Sequence, residues 1–120
     1  MTGKQSLNII QKNSSAVITA LKPAQQLTVN SNPAVGFGFI NMGGVIPEGA
    51  NYCLIEVEDS GSDGIRFWTT GEDPTKTFGF RRFNKEFFDI EGAENIAKFK
   101  CYDVGENGTV TINVQFGVKK

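Results

Sequence analysis

Short segments in which apolar and polar residues alternate run through most of this chain, and this period constrains the fold more than any other feature. In Thr109–Phe116, every second residue from Val110 onward is apolar and the residues between are polar. A two-residue period puts apolar side chains on one face of a β-strand. Related patterns predict further strands at Gln26–Asn30, Val35–Ile40, Tyr52–Glu58, Ile65–Thr70, Phe78–Phe83, Glu86–Glu91 and Ala97–Asp103, with weaker ones at Leu7–Ile10 and Ala16–Leu21.

Turn-forming residues separate these segments, as at Asn32-Pro33, Asp63-Gly64 and Asp73-Pro74. Strands that recur about every 8–12 residues are typical of sandwiches and barrels. The one helical pattern, Gly92–Ala97, is too short for the crossover that a parallel pair of strands needs. We therefore predict an all-β fold, an antiparallel two-sheet β-sandwich of about seven to nine strands, immunoglobulin-like or jelly-roll-like.

The distribution of charge divides the chain unevenly, although its 120 residues fit a single domain. Residues 1–51 carry 4 charged side chains, whereas residues 52–120 carry 21. Interface cores are depleted in charge, so we expect the first part to provide much of the intermolecular contact. Residues 1–22 are a candidate N-terminal arm. The alternative is that this part only supplies strands of the same sandwich.

Several functional classes are excluded by what the sequence lacks. There is no histidine, the commonest general base and metal ligand, so we expect no catalytic residue, no cofactor and no metal. The net charge of −1 does not fit a nucleic-acid partner. No apolar run approaches the roughly 20 residues of a membrane helix, and no membrane partner is expected. The first twelve residues lack a signal peptide's apolar core, which favours synthesis in a reducing cytoplasm.

The two cysteines fall on inward-facing positions of their predicted strands. Cys53 alternates with Leu54, and Cys101 alternates with Tyr102. Thiols on such positions pack as small apolar groups, so we expect two buried, reduced cysteines. A single intramolecular disulfide is the alternative.

Three large aromatic residues fall on the outward side of their strands by the same alternation. They are Trp68, Phe87 and Tyr102. If their strands belong to one sheet, they form an exposed platform of the kind found at interfaces and ligand sites. The alternative is that other parts of the chain cover both faces of this sheet.

The most distinctive segment is Ile65–Thr75, with the sequence IRFWTTGEDPT. It resembles the hairpin of the C-terminal module of chitobiase-type proteins, in the form TTxxxPT. Together with Thr77–Phe80, Ile90–Gly92, Asn95–Lys100 and the closing strand Thr109–Phe116, it is more similar to short β-sandwich structural proteins of tailed-phage virions. The resemblance covers roughly residues 52–120.

The resemblance implies a non-enzymatic structural protein of a tailed-bacteriophage virion, made in the host cytoplasm. The expected role is a head decoration, or cement, protein that binds the major capsid protein and forms a homo-oligomer. One alternative is a tail or head–tail connector component that binds other virion proteins. Another is a carbohydrate-binding β-sandwich module that uses Trp68, Phe87 and Tyr102.

Overall fold

The structure is a computed structural model that describes residues 17–29, 31, 34–37, 44–58, 63–106 and 110–120. These residues contain eight strands and one short helix, which agrees with an all-β fold. In chain order the elements are β1 Ile18–Val29, β2 Val35–Gly36, β3 Tyr52–Val57, β4 Ile65–Trp68, β5 Phe80–Arg82, β6 Phe87–Glu91, α1 Ala93–Lys98, β7 Lys100–Asp103 and β8 Val110–Lys119.

The strands form two antiparallel sheets of four described strands each. Sheet one has the order β1-β8-β3-β6, and sheet two has the order β2-β7-β4-β5. The first described strand pairs with the last, the second with the seventh, the third with the sixth and the fourth with the fifth. This nested pairing is the double Greek key of a jelly roll, and it decides between the two sandwich types expected from the sequence.

The core lies between the sheets and is built from the inward faces of both. Stacked rings join the two layers, since Phe67 of β4 lies 4.5 Å from Phe88 of β6 between ring centroids. Phe37 stacks on Phe99 at 4.7 Å and meets the Phe116 ring of β8 edge-on at 5.1 Å. Alternation explains this packing, because buried and more exposed residues alternate along β3, β4, β6 and β7.

The two cysteines lie on the inner faces of opposite sheets, in accordance with their predicted positions. Cys53 belongs to β3 in sheet one and Cys101 to β7 in sheet two. Both are completely buried, and both are thiols rather than halves of a disulfide. Their burial is thus confirmed.

Strand boundaries differ from the expected ones in several places. Ala97 and Lys98, expected at the start of a strand, belong to α1, and Phe37, expected within a strand, lies in a turn. The segments Ala16–Leu21 and Gln26–Asn30 contribute to one strand, β1, whose register with β8 shifts between Leu21 and Gln25. Phe78 does not belong to a strand, because its carbonyl accepts a hydrogen bond from the Thr75 N–H at 2.9 Å and closes a turn.

The candidate arm, residues 1–22, divides at the start of β1. Residues 18–22 lie inside that strand, whereas residues 1–16 lie outside the described residues. The weak strand pattern at Leu7–Ile10 also lies outside them.

Candidate functional site

The structure places the three predicted aromatic residues on two different faces of the sandwich. Trp68 and Tyr102 belong to neighbouring strands of sheet two, and both alternate with buried residues, so they lie on its outer face. Phe87 lies on the outer face of sheet one, opposite Glu56 of β3. The condition for a single platform, that all three strands share a sheet, is therefore not met.

Trp68 has aromatic neighbours that alternation did not predict. Its ring lies 5.0 Å from Phe78 and 5.0 Å from Phe80, measured between centroids. The indole is half-buried, and its Nε1 is buried without a hydrogen-bond partner in the described part of the chain. Assigning Phe78–Phe83 to one alternating strand concealed this cluster, since the turn at Phe78 brings two phenylalanines to the same tryptophan.

A loop formed by residues 69–79 is held against the outer face of sheet two. Arg66 of β4 anchors this loop to the sheet with two hydrogen bonds. Its Nε donates to the Lys76 carbonyl at 2.9 Å, and its Nη1 donates to the Gly79 carbonyl at 2.7 Å. Lys100 of β7 adds an ion pair to Asp73 at 2.8 Å. The distinctive TTGEDPT segment therefore has a structural role, as part of a loop anchored to two strands.

Tyr102 takes part in a polar group beside this loop. Its hydroxyl donates to the Glu106 carboxylate, which also pairs with Lys76 at 3.6 Å. The hydrogen bond to Glu106 raises the pKa of Tyr102, and the same bond lowers the pKa of Glu106, with Lys76 acting in the same direction. These charges tie the turn after β7 to the loop, and Tyr102 lies next to them rather than in an apolar patch.

Exposed phenylalanines are concentrated in one short part of the described chain. Phe78, Phe80, Phe83 and Phe87 are 47%, 59%, 52% and 60% exposed, and all four lie within residues 78–87. The Arg81 guanidinium lies over the Phe83 ring, 4.5 Å from its centroid. We call the group of Trp68, Phe78, Phe80 and Phe83 the aromatic edge, because it follows β5 at the border of sheet two.

The strands at this side of the sandwich have unpaired outer borders within the described residues. β5 pairs with β4 alone, and β6 pairs with β3 alone. In β6, the bonds from Gly92 N–H to Asn51 O and from Val57 N–H to Glu86 O show that alternate backbone groups face β3. The backbone groups of Phe87 and Asp89 consequently face outward, available to an added strand.

A cleft opens between these two borders. It measures about 320 Å³ and is lined on one wall by Phe80 and Arg82, and on the other by Asp89 and Glu91. Apolar rings with charges of both signs around them are typical of a protein contact surface.

Chemically reactive clusters are not found in the described ranges. Among those residues, no group of three or more His, Cys, Asp or Glu side chains could hold a metal ion. Burial raises the pKa of the Cys53 thiol to about 12 and also raises that of Cys101, so neither is poised as a nucleophile. No helix within the described residues has the length and apolar character needed to span a bilayer.

The aromatic edge and the cleft beside it together form an exposed, largely apolar surface. Comparison with protein-family models, with curated proteins and with solved structures gave no significant match.

Proposed function

We propose that this chain is a non-enzymatic structural protein of a tailed-phage virion, a head decoration protein that docks on the major capsid lattice. The observation that carries the proposal is the aromatic edge, where three phenylalanines about half exposed lie beside an unpaired strand border. Burying one large apolar side chain contributes roughly 1.5–3 kcal/mol. Because a lattice repeats the contact at every copy, a small surface on each subunit is sufficient.

The loop that carries the virion-like sequence supports a scaffold role. Its residues are engaged in holding the loop on sheet two, through Arg66 and the Lys100–Asp73 ion pair. An anchored loop next to the aromatic edge gives that edge a fixed shape before docking. Preformed surfaces bind with less loss of conformational freedom.

Particle binding by surface variants tests the proposal. Phage heads that lack the protein are mixed with the purified chain, and bound copies are counted after sedimentation. We expect saturable, high-copy binding by the unaltered protein, and at least a tenfold weaker binding when Phe80→Ser and Phe83→Ser are combined. Tryptophan emission should also shift to the blue on docking, because Trp68 is half-buried in the free protein and belongs to the same edge.

Val45→Ser is the matched control, because Val45 is 58% exposed but lies against β1, at the opposite border of sheet one. Its binding should equal that of the unaltered chain, and circular dichroism should show that all variants are folded. Equal binding by the double variant would refute docking through the aromatic edge. Binding to isolated tails or connectors instead of heads would replace the head assignment with the tail or connector alternative.

A further inference from the structure

A second concave surface lies on the outer face of sheet one, away from the aromatic edge. It is an open groove of about 360 Å³ that runs across all four strands. Ligand sites for small molecules span about 300–1,000 Å³. The docking contact proposed above makes no use of this groove.

The floor of the groove is a chain of polar side chains linked from strand to strand. Gln26 of β1 donates from Nε2 to Asn113 Oδ1 at 3.0 Å, and Asn113 of β8 donates from Nδ2 to Glu56 Oε1 at 3.0 Å. These bonds orient the groups and use only part of their capacity. Among the described residues, each amide retains an N–H, and Gln26 Oε1 and Glu56 Oε2 remain available to accept.

Apolar groups border this polar floor. Phe87 of β6, 60% exposed, lines the groove together with Leu54 of β3. On the β1 side, Ala24 lies in the stretch where the register with β8 shifts. Gln25, next to Ala24, makes two hydrogen bonds with the backbone of Val45. Its Nε2 donates to the Val45 carbonyl at 2.7 Å, and its Oε1 accepts from the Val45 N–H at 2.9 Å. One border is therefore anchored and the other carries an exposed ring.

We propose that this groove binds a neutral saccharide. Sugar hydroxyls donate and accept together, which matches a floor made of amides and one carboxylate. The apolar C–H face of a sugar ring fits against the negative face of an aromatic ring such as Phe87. An exposed phenylalanine beside a row of oriented polar groups provides both requirements at once.

The charges of the groove select against anionic ligands. Its lining contains Glu56 and no lysine or arginine among the described residues, so anionic sugars and phosphates meet a carboxylate without a compensating cation. Gln115, also in the lining, adds a further amide with no hydrogen bond to the described part of the chain. Neutral hydroxyl-rich ligands satisfy these groups without burying a second charge.

Titration of the full-length, ¹⁵N-labelled chain followed by NMR tests this site. The probes are cellohexaose, maltohexaose, xylohexaose and mannohexaose, with an oligogalacturonate as the anionic comparison. We expect at least one neutral probe to shift the side-chain amide signals of Gln26, Asn113 and Gln115, with a dissociation constant of about 1 mM or tighter. Failure of all four neutral probes to shift these signals would overturn the proposal, as would binding of the anionic probe alone.

Three variants locate the binding. Phe87→Ala and Asn113→Ala should each weaken it at least tenfold, whereas Phe83→Ala, an exposed ring outside the groove, should leave it unchanged. Gln115→Ala replaces Asn113→Ala if the latter fails to fold, since Gln115 is exposed on the same face. Equal affinity of the Phe87→Ala protein would show that sugar binds elsewhere. The Phe80→Ser/Phe83→Ser protein should still bind sugar, which separates this result from particle docking.

Discussion

Side-chain amides take the place of backbone partners at two points in the described part of this fold. The side chain of Gln25 pairs with both the N–H and the carbonyl of Val45. In the same way, Asn51 Nδ2 donates to the Lys119 carbonyl at 3.1 Å, and Asn51 Oδ1 accepts from the Lys119 N–H at 2.7 Å. An amide imitates a peptide group because it has one donor and one acceptor side. Two polar residues of the sparsely charged region 1–51 therefore make hydrogen bonds within the molecule, although we expected this region to provide much of the intermolecular contact.

Asn51→Asp should destabilise the fold by about 1–3 kcal/mol, because a carboxylate accepts from Lys119 N–H but cannot donate to its carbonyl. Urea unfolding at pH 7 measures the loss. We expect repulsion by the Lys119 carbonyl, which no longer receives a hydrogen bond, to raise the folded pKa of the new carboxyl above its unfolded value. Stability should therefore be recovered below that unfolded value, where the protonated acid donates again, and lost as pH rises through the folded pKa. An unchanged stability at pH 7 would contradict the pairing.

Thiol reactivity should report the burial of the two cysteines. Burial raises the pKa of Cys53 to about 12 and raises that of Cys101 too, so at pH 8 both are neutral in the folded chain and unreactive. In Ellman's assay we expect slow reaction of the native protein and two thiols at once in denaturant. Thr70→Cys, at an exposed loop position, supplies a fast-reacting control. Two fast thiols in the native protein, or none in denaturant, would contradict the prediction.

At the scale of elements, two glycines with the same backbone angle differ in how closely a neighbour approaches. Gly64, just before β4, has φ +86°, and Gly49, in the turn before β3, has φ +85°. A Cβ on Gly64 would lie 2.2 Å from the Arg82 carbonyl oxygen, whereas a Cβ on Gly49 would meet nothing within 4 Å. The first glycine is required by the contact between β4 and β5, the second only by its turn.

The pair Gly64→Ala and Gly49→Ala separates these two costs. Gly49→Ala should cost about 1–2 kcal/mol, the ordinary penalty for a left-handed residue. Gly64→Ala should cost clearly more, because β5 must also move away from the added methyl group. Parallel urea denaturation gives both values. Equal losses of unfolding free energy in the two variants would mean that β5 can move away from the added methyl group at no cost. This would argue against a rigid strand border at the aromatic edge.

The alternation of apolar and polar residues predicted well where strands lie and which face of a sheet each side chain occupies. It predicted poorly which strands lie next to each other. Alternation located the segments that became β3, β4, β6, β7 and β8, and it placed Trp68, Phe87 and Tyr102 on outer faces. It did not assign strands to sheets, because pairing depends on residues far apart in the chain. The groove at Phe87 could not be foreseen, since it combines side chains from four strands. The cluster at Trp68 depends on a turn that interrupts the period at Phe78.

At the scale of the whole molecule, the described chain begins and ends at the border opposite the aromatic side. The Lys120 N–H donates to the Val17 carbonyl at 3.2 Å, and β1 is at the far border of sheet one from β6. Three strand spacings, about 14 Å, separate those borders. Val17, the first described residue, thus lies at one border of the sandwich and the aromatic edge at the other. We propose that residues 1–16 of one copy contact a neighbouring copy, which together with the aromatic edge would give the head-to-tail association that a repeating lattice needs.

Two truncations test whether residues 1–16 contribute to such contacts. Removing residues 2–16 spares β1, so the chain should fold with a melting temperature within about 2 °C of the full-length protein. It should lose self-association, measured by sedimentation, and bind phage heads more weakly. Removing residues 2–22 also deletes the pairs from Ile18–Lys119 to Leu21–Phe116, each worth about 0.2–1 kcal/mol, and should lower the melting temperature.

The outcome for the chain that lacks residues 2–16 decides between the alternatives. If this truncation unfolds the chain, residues 1–16 belong to the sandwich. If it associates and docks unchanged, the aromatic edge acts without an arm.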